Sequence, residues 1–213
     1  MSVSAKICGV TTPEAVRAAL DGGAAYLGFM FFEKSPRNLT VEAAARLAEP
    51  VRGRAKVVAV AVDPADAEVD RIASGLRPDF IQLHGRETPA RAREVAQRAG
   101  AGLIKVVPVS DAADLDRAVD YEAVAEHLMF EGRPPKDATR PGGLGAGFDW
   151  GLLSGRRFGR PWFLAGGLDP WNLAEAVQQS GAPMVDVSSG VERGPGLKDP
   201  ALITAFLDAA RKA

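Results

Sequence analysis

Few side chains in this sequence can carry acid–base or nucleophilic chemistry. It has one cysteine, Cys8, and two histidines, His84 and His127. Cys8 ends the short apolar run Ala5 to Cys8, and Gly9 and then Thr12-Pro13-Glu14 follow it. A thiol at such a junction is either a small buried hydrophobe or a catalytic group. An ordinary thiol has a pKa of about 8.5 and is only a few per cent ionised at neutral pH, so a base role needs a nearby cation or helix N-terminus. Glu131 closes another apolar run; it is either a solvated loop carboxylate or, with its pKa lifted by partial burial, a general acid. Arg37, in Ser35-Pro36-Arg37, either faces solvent or clamps a carboxylate through two parallel bonds. Gly166-Gly167 and Ser188-Ser189-Gly190 read as plain turns or as backbone N–H cradles for a phosphate.

Those residues need elements to hold them, and the chain supplies a regular alternation. The expected strands are Ala5 to Cys8, Tyr26 to Met30, Val57 to Val62, Phe80 to Leu83, Leu103 to Val107, Leu128 to Phe130, Trp162 to Ala165 and Met184 to Val187. A helical pattern follows most of them. Thr12 caps the first, with Pro13 at its first position and Gly22-Gly23 at its end. Thr40 caps the next through Ala48, and Asp111 caps one running to Val119. Alternation of this kind predicts a parallel sheet, and eight units predict closure into a (β/α)8 barrel over residues 1–213, one domain. The alternative, an open doubly wound sheet, lacks its glycine triplet, because Cys8-Gly9-Val10-Thr11 has one glycine. A barrel keeps its active site at the C-terminal ends of the strands. Cys8, Gln82 and His84, Glu131, Gly166-Gly167 and Asp186 to Gly190 all fall there.

Composition narrows the partners. A net charge of −1 gives no reason to expect nucleic acid or an anionic membrane surface. No apolar run reaches the roughly 18 residues of a membrane span, and no secretory signal is visible. One cysteine rules out an internal disulfide and a thiolate metal cluster, and it fits a reducing, cytoplasmic compartment. A histidine-based metal site would need carboxylates to complete it, so no metal is expected. Oligomeric state is left open between monomer and homodimer.

Taken together, Lys6-Ile7-Cys8-Gly9, Ser35-Pro36-Arg37, Gln82-Leu83-His84-Gly85, Pro141-Gly142-Gly143, Phe148-Asp149-Trp150, Leu164-Ala165-Gly166-Gly167-Leu168 and Val185-Asp186-Val187-Ser188-Ser189-Gly190-Val191-Glu192 resemble the phosphoribosylanthranilate isomerase family of bacterial tryptophan biosynthesis, in that family's order. The resemblance implies a cofactor-free (β/α)8 barrel. It implies an Amadori rearrangement of the aminoaldose N-(5-phosphoribosyl)anthranilate to 1-(2-carboxyphenylamino)-1-deoxyribulose 5-phosphate. It assigns Cys8 as general base, Arg37 to the anthranilate carboxylate, Asp186 to the ribose, His84 to the substrate, and Gly166, Gly167, Ser188, Ser189 and Gly190 to the phosphate. The family's general acid is an aspartate, and this chain has Glu131 there. The extra methylene moves the carboxyl by roughly 1.5 Å, and a misplacement of about 1 Å can cost about a hundredfold in rate. Either the surrounding loop compensates, or the enzyme is slower, or Asp137 takes the task; the intact remainder favours compensation. Two rivals share the fold: a histidine-pathway aminoaldose isomerase, which would carry a carboxylate where Cys8 stands, and a non-catalytic phosphate-sugar-binding barrel.

Overall fold

The structure is a computed structural model that describes residues 3–133 and 147–213. Eight parallel strands run in chain order: β1 Ser4–Cys8, β2 Tyr26–Phe31, β3 Lys56–Ala61, β4 Phe80–Leu83, β5 Gly102–Val109, β6 His127–Gly132, β7 Trp162–Leu164 and β8 Met184–Val187. β1 pairs with β2 on one side and with β8 on the other, so the sheet closes on itself and has no free edge. Closure decides between the barrel and the open sheet.

Helices α1 Pro13–Asp21, α2 Val41–Ala48, α3 Asp66–Leu76, α4 Pro89–Ala99, α5 Ala112–Asp116, α6 Val119–Glu122, α7 Leu173–Ser180 and α8 Pro200–Lys212 wrap the outside. Their starts follow the expected chemistry: Thr12 accepts from the Ala15 N–H, Thr40 from Ala43, and Asp111 from Ala113 and Asp114. One expected helix differs. The pattern from Asp111 to Val119 is broken into α5 and α6, with Asp114 turned back onto the Ser110 N–H and an ion pair to Arg133. Two elements after β8 were not expected: a 3-10 turn at Ser189–Val191 and an antiparallel hairpin, β9 Glu192–Gly194 with β10 Leu197–Lys198.

Strand alternation sorts the side chains into two cores. Ile7, Leu27, Phe29, Val57, Ala59, Ile81, Leu83, Leu103, Leu128, Phe130, Leu164 and Val185 point outward and are sealed under the helices. Val58, Val60, Phe80, Ile104, Val106, Met129, Phe163, Ala165 and Met184 fill the interior, with Cys8 among them. The base of the interior is aromatic. Tyr26, Phe80, His127 and Phe163 meet largely edge to face, with ring centroids between 5.1 and 6.0 Å apart. Above that floor the filling turns polar, with Lys6, Gln82 and Asp186 all buried.

Candidate active site

Cys8 is 5 % exposed and lies at the C-terminal end of β1. The period of two that turns Ile7 outward turns both Lys6 and Cys8 inward. Lys6 is fully buried, and its Nζ lies 2.7 Å from Asp186 Oδ1 on β8. Gly28 on β2 is the register partner of Cys8. A β-carbon there would fall 3.1 Å from Cys8 Sγ and 3.2 Å from Lys6 Nζ, so the sulfur and the ammonium converge over a residue that has no side chain. Burial pushes the Cys8 thiol upward, the Asp186 charge adds to that, and Lys6 and Lys198 pull against it. Lys6 is itself shifted up: burial works against its charge, and Asp186 and Cys8 outweigh that.

Glu131 sits on β6 two residues beyond the inward Met129, so it faces the mouth. His84, at the end of β4, brings Nε2 to 2.6 Å from Glu131 Oε2, with both side chains nearly covered. The two groups are thus in direct contact at the mouth. The turn that carries His84 is tied down from below. Glu87 accepts from the Gly85 and Asp63 N–H groups, and Lys105 donates to Glu87 and to the Gly85 carbonyl. His84, expected at the substrate, lies against Glu131, expected as the general acid. Asp137, the alternative acid, and the Pro141-Gly142-Gly143 motif lie outside the described residues.

Arg37 is 3 % exposed and not a solvent-facing loop arginine. Its Nε and Nη2 donate to the two carboxylate oxygens of Glu192 at 2.7 and 2.8 Å. Lys198 on β10 donates to the same carboxylate at 2.6 Å and to the Ser188 carbonyl at 2.9 Å. A line of charge-assisted bonds thus joins the Arg37 loop to the Ser188 turn through the hairpin. Burial alone would raise Glu192, but the bonds from Arg37 and Lys198 outweigh it and hold its carboxyl below the ordinary range. Burial lowers Lys198, with Glu192 partly offsetting it. A β-carbon on Gly9, the residue after Cys8, would fall 2.4 Å from Arg37 Cδ, so the Arg37 side chain lies over the end of β1, and Glu131 stands on the same rim at the end of β6.

The two glycine turns also meet. Gly166 and Gly167 carry positive φ, 85° and 70°. A β-carbon on Gly190 would fall 1.9 Å from the Leu168 carbonyl oxygen, so the turn after β8 packs directly on the turn after β7. The 3-10 turn at Ser189–Val191 begins there and presents initial N–H groups that have no partner within the turn.

A family model described as N-(5'phosphoribosyl)anthranilate (PRA) isomerase matches residues 5–209. The chain belongs to that family. An N-(5'-phosphoribosyl)anthranilate isomerase of Caulobacter vibrioides is 64 % identical over 217 residues, covering 100 % of this chain and 99 % of the relative. The crystal structure of the phosphoribosyl anthranilate isomerase from Thermotoga maritima superposes with a TM-score of 0.87 at 33 % identity, covering 99 % of this chain and 100 % of that one. A further isomerase structure, in complex with reduced 1-(o-carboxyphenylamino)-1-deoxyribulose 5-phosphate, gives a TM-score of 0.85 at 32 % identity and covers 99 % and 100 % of the two chains.

Sequence reasoning passed over Lys6, Glu192 and Lys198. Lys6 was readable, because a lysine two residues before an inward cysteine on a strand must also point inward. The roles of Glu192 and Lys198 depend on a hairpin whose five intervening residues carry no strand periodicity.

Proposed function

We propose that this chain is one catalytic domain that converts N-(5-phosphoribosyl)anthranilate into 1-(2-carboxyphenylamino)-1-deoxyribulose 5-phosphate. The observation that carries the reading is the placement of Cys8 at the end of β1, Arg37 over Gly9 beside it and Glu131 at the end of β6 on one barrel mouth whose rim also holds the paired glycine turns. Family membership supports it, and so does the product-like ligand bound to a relative.

Glu131, protonated, gives its proton to the furanose ring oxygen. The C1′–O bond breaks and a Schiff base forms at C1′. Cys8 as thiolate removes the C2′ proton, and the electron pair left behind moves into the C1′–C2′ bond to give an enolamine. Protonation at C1′ and loss of the hydroxyl proton then give the ketone. His84 holds the Glu131 carboxyl, which supplies the compensation that its extra methylene requires. Arg37 keeps its outer edge, Nη1 and Nη2, toward the anthranilate carboxylate while Glu192 fixes its other edge. Asp186 gives one oxygen to Lys6 and has the other for a ribose hydroxyl. Gly166, Gly167, Ser188, Ser189 and Gly190 take the phosphate. Holding both ends of the substrate fixes C2′ against the thiol, and positioning of this kind can supply several kcal/mol of the barrier, about 7 or more.

No helix among the described residues is long and apolar enough to cross a membrane. A base that is a single thiol works in a reducing compartment, which supports residence in the cytoplasm. The test follows the loss of substrate fluorescence with purified protein, with Cys8→Ala as control. Loss of signal with the wild type alone is expected. A flat trace from both proteins under conditions where the substrate binds would overturn the reading in favour of a binding protein.

A further inference from the structure

The interior of the barrel holds an ion pair whose contribution to stability does not explain it. Lys6 and Asp186 are both buried, with Nζ 2.7 Å from Oδ1. A buried pair is often matched or bettered in stability by apolar side chains of similar volume. Val58, Val60 and Ile104, which also point inward, show that the sequence fills such positions with hydrocarbon where nothing else is required. The pair stands directly beneath the thiol. Lys6 and Cys8 are the two inward residues of one strand, and Nζ and Sγ converge on the space left open at Gly28. Other charges surround the thiol: Asp186 on β8, Lys198 on β10 and Arg37 after β2, with Glu131 and His84 across the mouth. Arg37 and Lys198 are both bonded to the Glu192 carboxylate. Lys6 approaches the sulfur from the interior side, on the same strand.

We infer that Lys6 is a positioning residue for the base: its ammonium, oriented by Asp186, holds Cys8 in a thiolate-competent state, and Asp186 sets how much of that charge reaches the sulfur. This rests on the reading of Cys8 as general base. Two opposite effects follow. Removing the ammonium makes the buried thiol harder to ionise, because burial is then less opposed. Neutralising Asp186 makes it easier, because a negative charge near the sulfur is gone; the three groups titrate together, so the first proton leaves the lysine–cysteine pair at lower pH.

The experiment is a titration of the ultraviolet thiolate absorbance of the purified protein, with Cys8→Ser as baseline. The chain has one cysteine, so the signal belongs to one group. Asp186→Asn is expected to titrate at lower pH than wild type. Lys6→Met alone would leave a buried carboxylate unpaired and endanger folding. The decisive comparison is therefore Lys6→Met/Asp186→Asn, which strands no charge, against Asp186→Asn, which differs from it only in the ammonium and whose folding is checked by circular dichroism. The double variant is expected to hold about tenfold less thiolate at a given pH than the single one. Equal titration of the two would overturn the inference, as would an upward shift in Asp186→Asn. The pH profile of kcat/KM gives the second readout: its rising limb should move with the thiol. A thiol that shifts while that limb stays in place would retain Lys6 as the partner of the sulfur and reject Cys8 as the base.

Discussion

His84 at the end of β4 and Glu131 at the end of β6 stand 2.6 Å apart, Nε2 to Oε2, across two strand positions of the barrel mouth. On the proposed mechanism this contact steadies a carboxylate that is one methylene longer than the aspartate the resemblance implies, and His84 remains a proposed substrate contact as well. Glu131→Gln keeps the shape and removes the proton. It should lower kcat by about a hundred- to ten-thousand-fold with KM little changed. Near-normal turnover would reassign the acid to Asp137. His84→Asn should cost about tenfold in kcat, because the carboxylate loses its anchor while its proton remains.

Cys8→Ala should reduce kcat by a comparable two to four orders of magnitude, on the same ground that one positioned proton-transfer group is lost. Substrate binding should survive, since neither the phosphate turns nor Arg37 depends on the sulfur. Single-turnover kinetics and a binding titration, run on the same preparation, separate the two. Full activity in this variant would end the base assignment.

Arg37 and Glu192 form a buried two-bond pair, and Glu192 also takes Lys198. Glu192→Gln leaves two buried cations without their carboxylate and should cost about 3–5 kcal/mol of stability. Thermal unfolding measures it. In Arg37→Lys the charge stays but the fork is lost, so KM should rise about tenfold or more while kcat moves less. An unchanged KM would count against the carboxylate clamp.

Acid should act through the same residue. The folded-state pKa of Glu192 lies below its ordinary value of 4.5. Its stabilising contribution is then fully present above that value and is lost as pH falls from about 4.5 down through the depressed folded value. Melting temperature plotted against pH should fall over that range in the wild type. The fall should flatten in Glu192→Gln; an identical slope in both would place the acid sensitivity elsewhere.

Gly190→Ala puts a β-carbon where the Leu168 carbonyl oxygen stands, at 1.9 Å, and backbone cannot yield as a flexible side chain can. The two glycine turns must separate. Inorganic phosphate should become a weaker competitive inhibitor, and KM should rise in step. Retained phosphate inhibition would show that the turns after β7 and β8 are not the phosphate cradle.

The fold was legible because each barrel strand announced itself as a short apolar run and several helices by a capping residue. Thr12, Thr40 and Asp111 cap where their side chains say they should. The break between α5 and α6 was not legible, since it comes from Asp114 bonding back to Ser110 and out to Arg133, a choice that local propensity does not express. Strand order also placed Cys8, His84, Glu131 and Asp186 on one rim. What each side chain grips there was harder to read. Arg37, in a Ser-Pro-Arg loop, gave no sign that it would be buried on Glu192, because that carboxylate arrives from 155 residues away on a hairpin without an alternating pattern. Lys6 was readable by alternation alone, yet a lysine inside a barrel runs against the expectation that charge stays outside.

The floor of Tyr26, Phe80, His127 and Phe163 closes the barrel at its far end. Among the described residues these rings fill the barrel beneath the thiol, and Cys8 stands at the strand ends that form the mouth. On the proposed function, occupying the mouth and guarding its most oxidisable atom become one event, so a saturating phosphate-bearing analogue is expected to slow alkylation of the sulfur.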